Sequence, residues 1–138
     1  MRIRHFFLIL LLCFANSACR QKTPTPTGTG THAVVASYFD ALVKQDWDGA
    51  YAQLHADTRK QMDRSEFERR ARGYCQQLGF PLGAFFVRSC DEQGTKAIAH
   101  VTLSDANNSA KHRYREGVVL QSTANGWAIV LPANFGKR

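Results

Sequence analysis

Residues 34–54 read VVASYFDALVKQDWDGAYAQL, and the spacing of their apolar side chains indicates two consecutive helices. The first apolar set repeats at i, i+3, i+4, i+7 and i+8, which is the spacing of one helix face. This pattern predicts a helix from about His32 to Gln45, and we expect Asp46 to cap a second helix that fades near His55. The apolar residues of the first face are Val35, Tyr38, Phe39, Leu42 and Val43.

A third helix is predicted to begin at Ser65. Ser65 and Glu68 have the spacing of a capping box, and Gly79 followed by Pro81 is expected to end the helix. Its apolar stripe comprises Phe67, Ala71, Tyr74, Cys75 and Leu78.

After Pro81 the apolar pattern alternates with a period of two, which indicates β-strands. An Asn125-Gly126 pair marks a tight turn before the last strand. Helices that precede a run of antiparallel strands are typical of α+β domains. We therefore expect three N-terminal helices on a curved antiparallel sheet of about four strands that wraps around the first helix. The strands are predicted near residues 83–90, 96–103, 111–121 and 127–131.

Residues 1–18 have the features of an export signal. Two arginines precede the apolar run FFLILLLCFA at positions 6–15. This run is too short for a membrane-spanning helix, which needs about 20 apolar residues. The residues that follow end in Cys19 and resemble a bacterial lipobox, so we predict that Cys19 is lipidated and anchors the protein to a membrane. The alternative is cleavage after Ser17, which would release a soluble secreted protein.

Residues 20–31 read RQKTPTPTGTGT and contain no large apolar side chain, so we expect a solvated tether. The predicted organisation is a signal peptide over 1–18, a lipidated cysteine with its tether over 19–31, and a folded domain over 32–138. This organisation predicts a location in the cell envelope, on the outer membrane or a periplasmic face where the cell has two membranes.

Cys75 and Cys90 remain in the folded domain once the signal and the anchor are set aside. An exported domain meets an oxidising compartment, and a disulfide closing this loop would contribute about 3 kcal/mol. We therefore predict a Cys75–Cys90 disulfide, with two buried free thiols as the alternative. Two cysteines without a further C-x-x-C pair or a nearby histidine do not have metal-ligand spacing, so no metal site is expected.

The stretch 34–54, together with Thr58-Arg59, SEFE at 65–68 and NGWAIV at 125–130, resembles the nuclear transport factor 2-like superfamily. This superfamily has a cone-shaped, cystatin-like fold and includes SnoaL-like and ketosteroid-isomerase-like domains. The resemblance covers about residues 32–132 and consists of core positions, so it implies fold more strongly than function. In the enzymes of the superfamily, a carboxylate base and hydroxyl or acid donors line the mouth of the cone. No catalytic motif matches residue by residue, so no catalytic residue is assigned.

Polar side chains that the pattern brings near such a mouth are candidates for a small-ligand pocket. His112 and Tyr114 share a strand face with Glu116, whereas His100 lies on the opposite face of its strand. The alternative is that these side chains project past the core into solvent. Phosphate-loop, nucleophile-elbow and zinc-protease motifs are absent from the sequence, so no cofactor is expected. The predicted pocket residues are Tyr38, Tyr74, His112 and Tyr114, with Asp40 as a further carboxylate candidate.

The chain carries 18 Lys and Arg against 11 Asp and Glu, for a net charge of +7 and a pI near 9.6. A cluster of six basic residues between positions 59 and 72 is a candidate contact for anionic lipid, cell-wall polymer or an acidic protein. The alternative is a solvated face, because Glu66 and Glu68 precede Arg70 and Arg72 by four residues and can pair with them. Nucleic acid is not an expected partner of an exported protein. The basic cluster comprises Arg59, Lys60, Arg64, Arg69, Arg70 and Arg72.

The leading hypothesis for function is a membrane-anchored lipoprotein whose non-enzymatic cone domain binds a partner protein or an envelope component. The alternative is a SnoaL-like ligand binder or isomerase-type enzyme that uses a pocket in the cone. A further alternative is a dimeric stress or immunity factor that pairs through its outer sheet face. That face is predicted to include Phe85, Val87, Val119 and Ile129.

Overall fold

The computed structural model describes residues 30–137, so the predicted signal, Cys19 and most of the tether lie outside the described residues. Within this range the helices come first and the strands follow, which confirms the predicted α+β class. No described helix is long and apolar enough to cross a membrane. The helices are α1 Thr31–Lys44, α2 Trp47–Ala52, α3 Ala56–Gln61 and α4 Arg64–Gln77. The strands are β1 Ala84–Gln93, β2 Lys96–Ser104, β3 Arg113–Thr123 and β4 Gly126–Val130.

Helix α1 buries the apolar face that its spacing predicted, and it packs on β1, β2 and β4. Its first residue, Thr31, is buried and donates a hydrogen bond from Oγ1 to Glu92 Oε1 at 2.8 Å, which ties the start of the helix to β1. The helix ends at Lys44, and the φ of 56° at its C-cap Gln45 turns the chain into α2. Asp46 caps α2 as expected, because its Oδ1 accepts from the Gly49 N–H at 3.0 Å.

Helix α3 was not predicted, since only Thr58 of its six residues is buried and no apolar stripe marks it. The predicted capping box of α4 is wrong. The cap is Asp63, whose Oδ1 accepts from the Glu66 N–H at 2.8 Å, so Ser65 lies inside the first turn. Glu68 does not reach back to the cap because it pairs with arginines on its own helix.

The sheet is an antiparallel meander in the order β1-β2-β3-β4. A bulge between Val87 and Ser89 interrupts the β1–β2 register. Strand β1 continues to Gln93, beyond its predicted end, and the turn falls at Gly94, which has a φ of 62°. The residues of β2 that face the helices are fully or almost fully buried: Ala97, Ala99, Val101 and Leu103.

The predicted outer face of the sheet is corrected by the register. Val87 pairs with Val101 and Phe85 with Leu103, so both point inward, and Ile129 is fully buried. The apolar run at the start of β1 does not alternate, so its sequence does not reveal which side faces the core. The exposed apolar residues of the outer face are Phe86, Ile98 and Val119.

The predicted disulfide is also corrected, because Cys75 and Cys90 are free thiols. Cys75 lies on α4, which packs on α2, whereas Cys90 lies on β1, which packs on α1. Both are half-buried against the core, and burial raises the pKa of the Cys75 thiol.

After β4 the chain folds back across α4, and we call residues 131–136 the closing segment. Phe135 is buried and stacks on Tyr74 and Phe67, with ring centroids 5.1 and 6.2 Å apart. Arg70 Nη1 donates to the Ala133 carbonyl at 3.1 Å. Gly136 has a φ of 62°, and a Cβ there would lie 2.0 Å from the Arg70 carbonyl oxygen. The closing segment therefore lies directly on the helix backbone.

Candidate functional site

A cavity of about 310 Å³ lies between α1, α4, β3 and the closing segment. It forms where the sheet is incomplete, because β4 pairs with residues 119–123 of β3 and leaves the first half of β3 without a neighbour on that side. The closing segment covers this place instead of a longer strand. Most of the lining is apolar and includes Phe39, Val118, Val130, Leu131 and Phe135.

Two polar side chains meet in this apolar cavity. The Tyr74 hydroxyl donates a hydrogen bond to Glu116 Oε2, joining α4 to β3. Burial raises the pKa of Glu116, and the hydrogen bond from Tyr74 opposes that rise. Burial also raises the pKa of Tyr74, and the negative charge of Glu116 raises it further. Tyr74 therefore keeps its proton and acts as a donor, while Glu116 is a carboxyl group that gains a proton more readily than an exposed one.

Tyr38 lines the same cavity from α1, and its side chain is 2% exposed. Within the described part of the chain its hydroxyl has no hydrogen-bond partner. Burial raises its pKa most strongly, followed by the negative charge of Glu116. A buried hydroxyl with no partner is uncommon, since the lost hydrogen bonds to water are not replaced. Tyr38 therefore adds an unused polar group beside the Tyr74–Glu116 pair.

The structure brings Tyr38 and Tyr74 of the predicted pocket together, and it places Tyr114 in an adjoining depression with Tyr74 and Glu116. Tyr114 is 46% exposed. His112 does not join them. It precedes β3, where its Nδ1 lies 2.7 Å from Asp105 Oδ2 and its ring stacks on Phe80. Strand β3 begins at Arg113, so the alternation of its side chains does not extend to His112. The sequence pattern therefore does not determine which face of the sheet His112 is on.

The other candidates lie on the surface. Asp40 is exposed and pairs with Lys44 at 2.7 Å. His100 lies on the outer sheet face, where its Nε2 is 3.2 Å from Asp91 Oδ2. Across the described residues, no group of three His, Cys, Asp or Glu side chains is arranged to hold a metal ion.

Sequence reasoning grouped Glu116 with His112 and Tyr114 as a candidate cluster, but it did not pair Glu116 with Tyr74, and it did not identify Phe135 and the closing segment as the cover of the site. A signal for Glu116 was present, because it alternates with Val118 and Leu120 on the core face of β3. A carboxyl group at a core position requires a partner, and the partner is Tyr74. The closing segment gave no such signal, since it has no regular period.

Most of the basic cluster is neutralised by neighbouring carboxylates. Glu66 pairs with Arg69 and Arg70, and Glu68 pairs with Arg72, as the spacing alternative proposed. Arg64 bridges Asp48 and Glu68, and Lys60 lies 3.4 Å from Asp57. The Arg72 guanidinium also covers the Trp47 ring at 4.9 Å. Of the six basic residues, Arg59 alone has no ion pair with another described residue.

Comparison with protein-family models and with characterised proteins finds no match for this sequence. The fold is similar to the crystal structure of a Campylobacter jejuni protein that carries the name NTF2-like transpeptidase. The TM-score is 0.54 at 12% identity, and the match covers 74% of this chain and 99% of that chain. At this identity the likeness concerns the fold alone.

Proposed function

We propose, on the premise that this domain has the nuclear transport factor 2-like fold, that it binds a small apolar molecule in the cavity under the closing segment. The observation that carries the proposal is the unpartnered Tyr38 hydroxyl beside the Tyr74–Glu116 pair in an otherwise apolar cavity. Ligand pockets typically combine apolar walls with a few polar groups that fix orientation. A packed core would instead satisfy or exclude such groups.

The polar groups define the chemistry of the ligand. Glu116 accepts a hydrogen bond from a ligand hydroxyl or amine, and Tyr38 donates to a ligand oxygen. The volume of about 310 Å³ is at the lower end of the usual range for ligand pockets. The ligand is therefore a small, largely apolar compound that carries a hydroxyl, amine or carbonyl group at one end.

A second candidate function is proton transfer on such a ligand. It is favoured by the raised pKa of Glu116, because burial makes this carboxylate a stronger base than an exposed glutamate. Tyr74 would hold Glu116 in place and Tyr38 would donate to the oxygen that gains charge. This candidate predicts deuterium uptake at the α-carbon of a small cyclic ketone, lost in Glu116→Gln.

The cavity does not favour the acyl transfer that the name of the Campylobacter protein indicates. Acyl transfer through an enzyme intermediate requires a nucleophile, and the described residues that line the cavity include no serine, threonine or cysteine. Cys75 lines a different groove with Trp47 and Arg72.

The cellular setting of this function rests on the sequence alone. The signal and Cys19 support an exported domain held at a membrane by a lipid, with soluble secretion as the alternative. The cavity favours a ligand-binding role over docking to a partner protein or envelope polymer, because its polar groups converge inside the domain and the α4 arginines are already paired.

The test is a titration with N-phenyl-1-naphthylamine, a neutral apolar fluorescent probe with one N–H donor. We expect its fluorescence to rise on binding to the wild-type chain. Leu131→Trp fills the cavity and should abolish that rise, whereas Leu82→Trp, at a half-buried position in a different groove, should retain it. Glu116→Ala should weaken binding about tenfold, the equivalent of one charge-assisted hydrogen bond. Equal binding by the wild type and Leu131→Trp would contradict the proposal.

A further inference from the structure

We propose that the outer face of the sheet carries an anion site that binds a phosphate group through Arg88, Arg115 and His100. This site does not depend on the function proposed for the cavity, although Glu116 and Gly117 of β3 line both. It lies on the opposite face of the sheet from Tyr38 and Tyr74.

The register of the sheet brings these side chains together. Ser89, His100 and Gly117 form one row across three strands, and Thr102 and Arg115 belong to the next row. The bulge at Arg88 adds an extra residue to β1 beside Ser89. Arg88, Ser89, His100 and Arg115 all line one depression of about 390 Å³.

Gly117 makes room for this depression. It lies directly opposite His100 in the register and carries no side chain, so the sheet surface is lower at that point. Its backbone does not require glycine, because its φ lies outside the left-handed region. A Cβ at this position would meet only the Ile98 side chain, at 3.7 Å. The position can therefore accept a larger side chain, which would fill the site.

The charges at this depression are available, unlike those of α4. Neither the Arg88 nor the Arg115 side chain has a hydrogen bond or ion pair with any other described residue, whereas each of the four α4 arginines pairs with a carboxylate. His100 engages Asp91 through Nε2, at 3.2 Å, and its Nδ1 has no described partner. The acidic residues near the site are Asp91, which lies one row from His100 and two rows from Arg115, and Glu116, whose carboxylate accepts from Tyr74 on the other face of the sheet.

The donor set favours phosphate over carboxylate. A carboxylate has two oxygens and is satisfied by a single guanidinium, whereas a phosphate group offers more oxygens and more charge. Two guanidinium groups, an imidazole nitrogen and the Ser89 hydroxyl match that larger requirement. Phe86, which is 67% exposed, neighbours Arg115 across Thr102, so the phosphate-bearing molecule also has an apolar part. A phospholipid headgroup and a soluble phosphate ester share this chemistry.

The first experiment titrates inorganic phosphate into the full chain at constant ionic strength and follows the amide NMR signals of Ser89 and His100. We expect saturable shifts that chloride does not produce. Arg88→Gln and Arg115→Gln should each weaken phosphate binding about tenfold, and Gly117→Leu should abolish it. Arg69→Gln removes the same charge from an arginine already paired with Glu66 and should leave binding unchanged.

The second experiment identifies the source of the phosphate, by comparing binding to vesicles of phosphatidylcholine alone and of phosphatidylcholine with phosphatidylglycerol. Binding that increases with phosphatidylglycerol and falls in Arg88→Gln but not in Arg69→Gln assigns the site to a lipid headgroup. Saturation by inorganic phosphate without that dependence assigns it to a soluble phosphate compound. The proposal is overturned if neither probe distinguishes Arg88→Gln and Arg115→Gln from Arg69→Gln.

Discussion

Glu116 and Glu66 are both glutamates with a hydrogen-bonded partner, yet they respond to pH in opposite directions. Burial raises the pKa of Glu116, so the folded state holds its proton to a higher pH than the unfolded chain does. Stability is therefore lost as the pH rises from the ordinary value of about 4.5 through the folded pKa. Hydrogen bonds from Arg69 and then Arg70 lower the pKa of Glu66. The stability that Glu66 contributes is fully present above its ordinary pKa of 4.5. It is lost as the pH falls through the lower pKa that Glu66 has in the folded state.

We predict that Glu116→Gln becomes more stable relative to the wild type as the pH rises from about 4.5 towards 7.5. The amide removes the charge whose burial is unfavourable and still accepts from Tyr74. Urea denaturation across this range measures the difference in the free energy of unfolding. Glu66→Gln is the control, measured from pH 4.5 downwards, where it should become more stable relative to the wild type as the pH falls and the wild-type Glu66 gains a proton. A difference for Glu116→Gln that is independent of pH would show that the carboxyl group is not desolvated.

The N-terminus of α4 has a different capping residue in the structure from the one predicted from the sequence. Asp63 caps the helix and Ser65 does not. We expect Asp63→Ala to lower the free energy of unfolding by about 1 kcal/mol, and Ser65→Ala to leave it unchanged or to raise it slightly, since alanine is the better helix former. Chemical denaturation of the two variants measures both values. A larger loss for Ser65→Ala would restore the capping box.

The elements also explain how far the sequence predicts this domain. Helix α1 and strand β2 were predicted closely because each buries one face and exposes the other, so that its period is visible. Helix α3 has no such face, and the apolar start of β1 does not alternate. The cavity was only partly predictable. Tyr38 and Tyr74 lie on periodic helices, whereas Phe135 lies on a segment held by a stacked ring and a close backbone contact.

For the whole molecule, the closing segment determines whether the cavity is covered. Gly136→Ala should lower the free energy of unfolding by about 1 to 3 kcal/mol, because alanine is strained at positive φ and its Cβ would meet the Arg70 carbonyl. Gly94→Ala is the control, since Gly94 has the same φ of 62° but no atom within 4 Å of the added carbon. Thermal unfolding measures both. Equal losses in the two variants would mean that the contact with α4 adds nothing to the conformational strain.

The predicted lipidation of Cys19 requires the full chain, so its test is carried out in cells. We predict that the wild-type protein is found in the membrane fraction and incorporates a labelled fatty acid, and that Cys19→Ser is soluble and unlabelled. A wild-type protein that is itself soluble and unlabelled would favour cleavage after Ser17.

The position of the closing segment along the chain has a consequence for biosynthesis. The four strands pair in sequence order, so the sheet can assemble as each strand is made. The cover of the cavity, in contrast, joins Arg70 to Ala133, which is 63 residues further along the chain and follows every helix and strand. A product of interrupted translation that stops after β4 would have its secondary structure and an uncovered groove around Phe67 and Tyr74. Such a product exposes aromatic surface to chaperones and proteases, so docking of the closing segment distinguishes chains made as far as Gly136 from shorter ones.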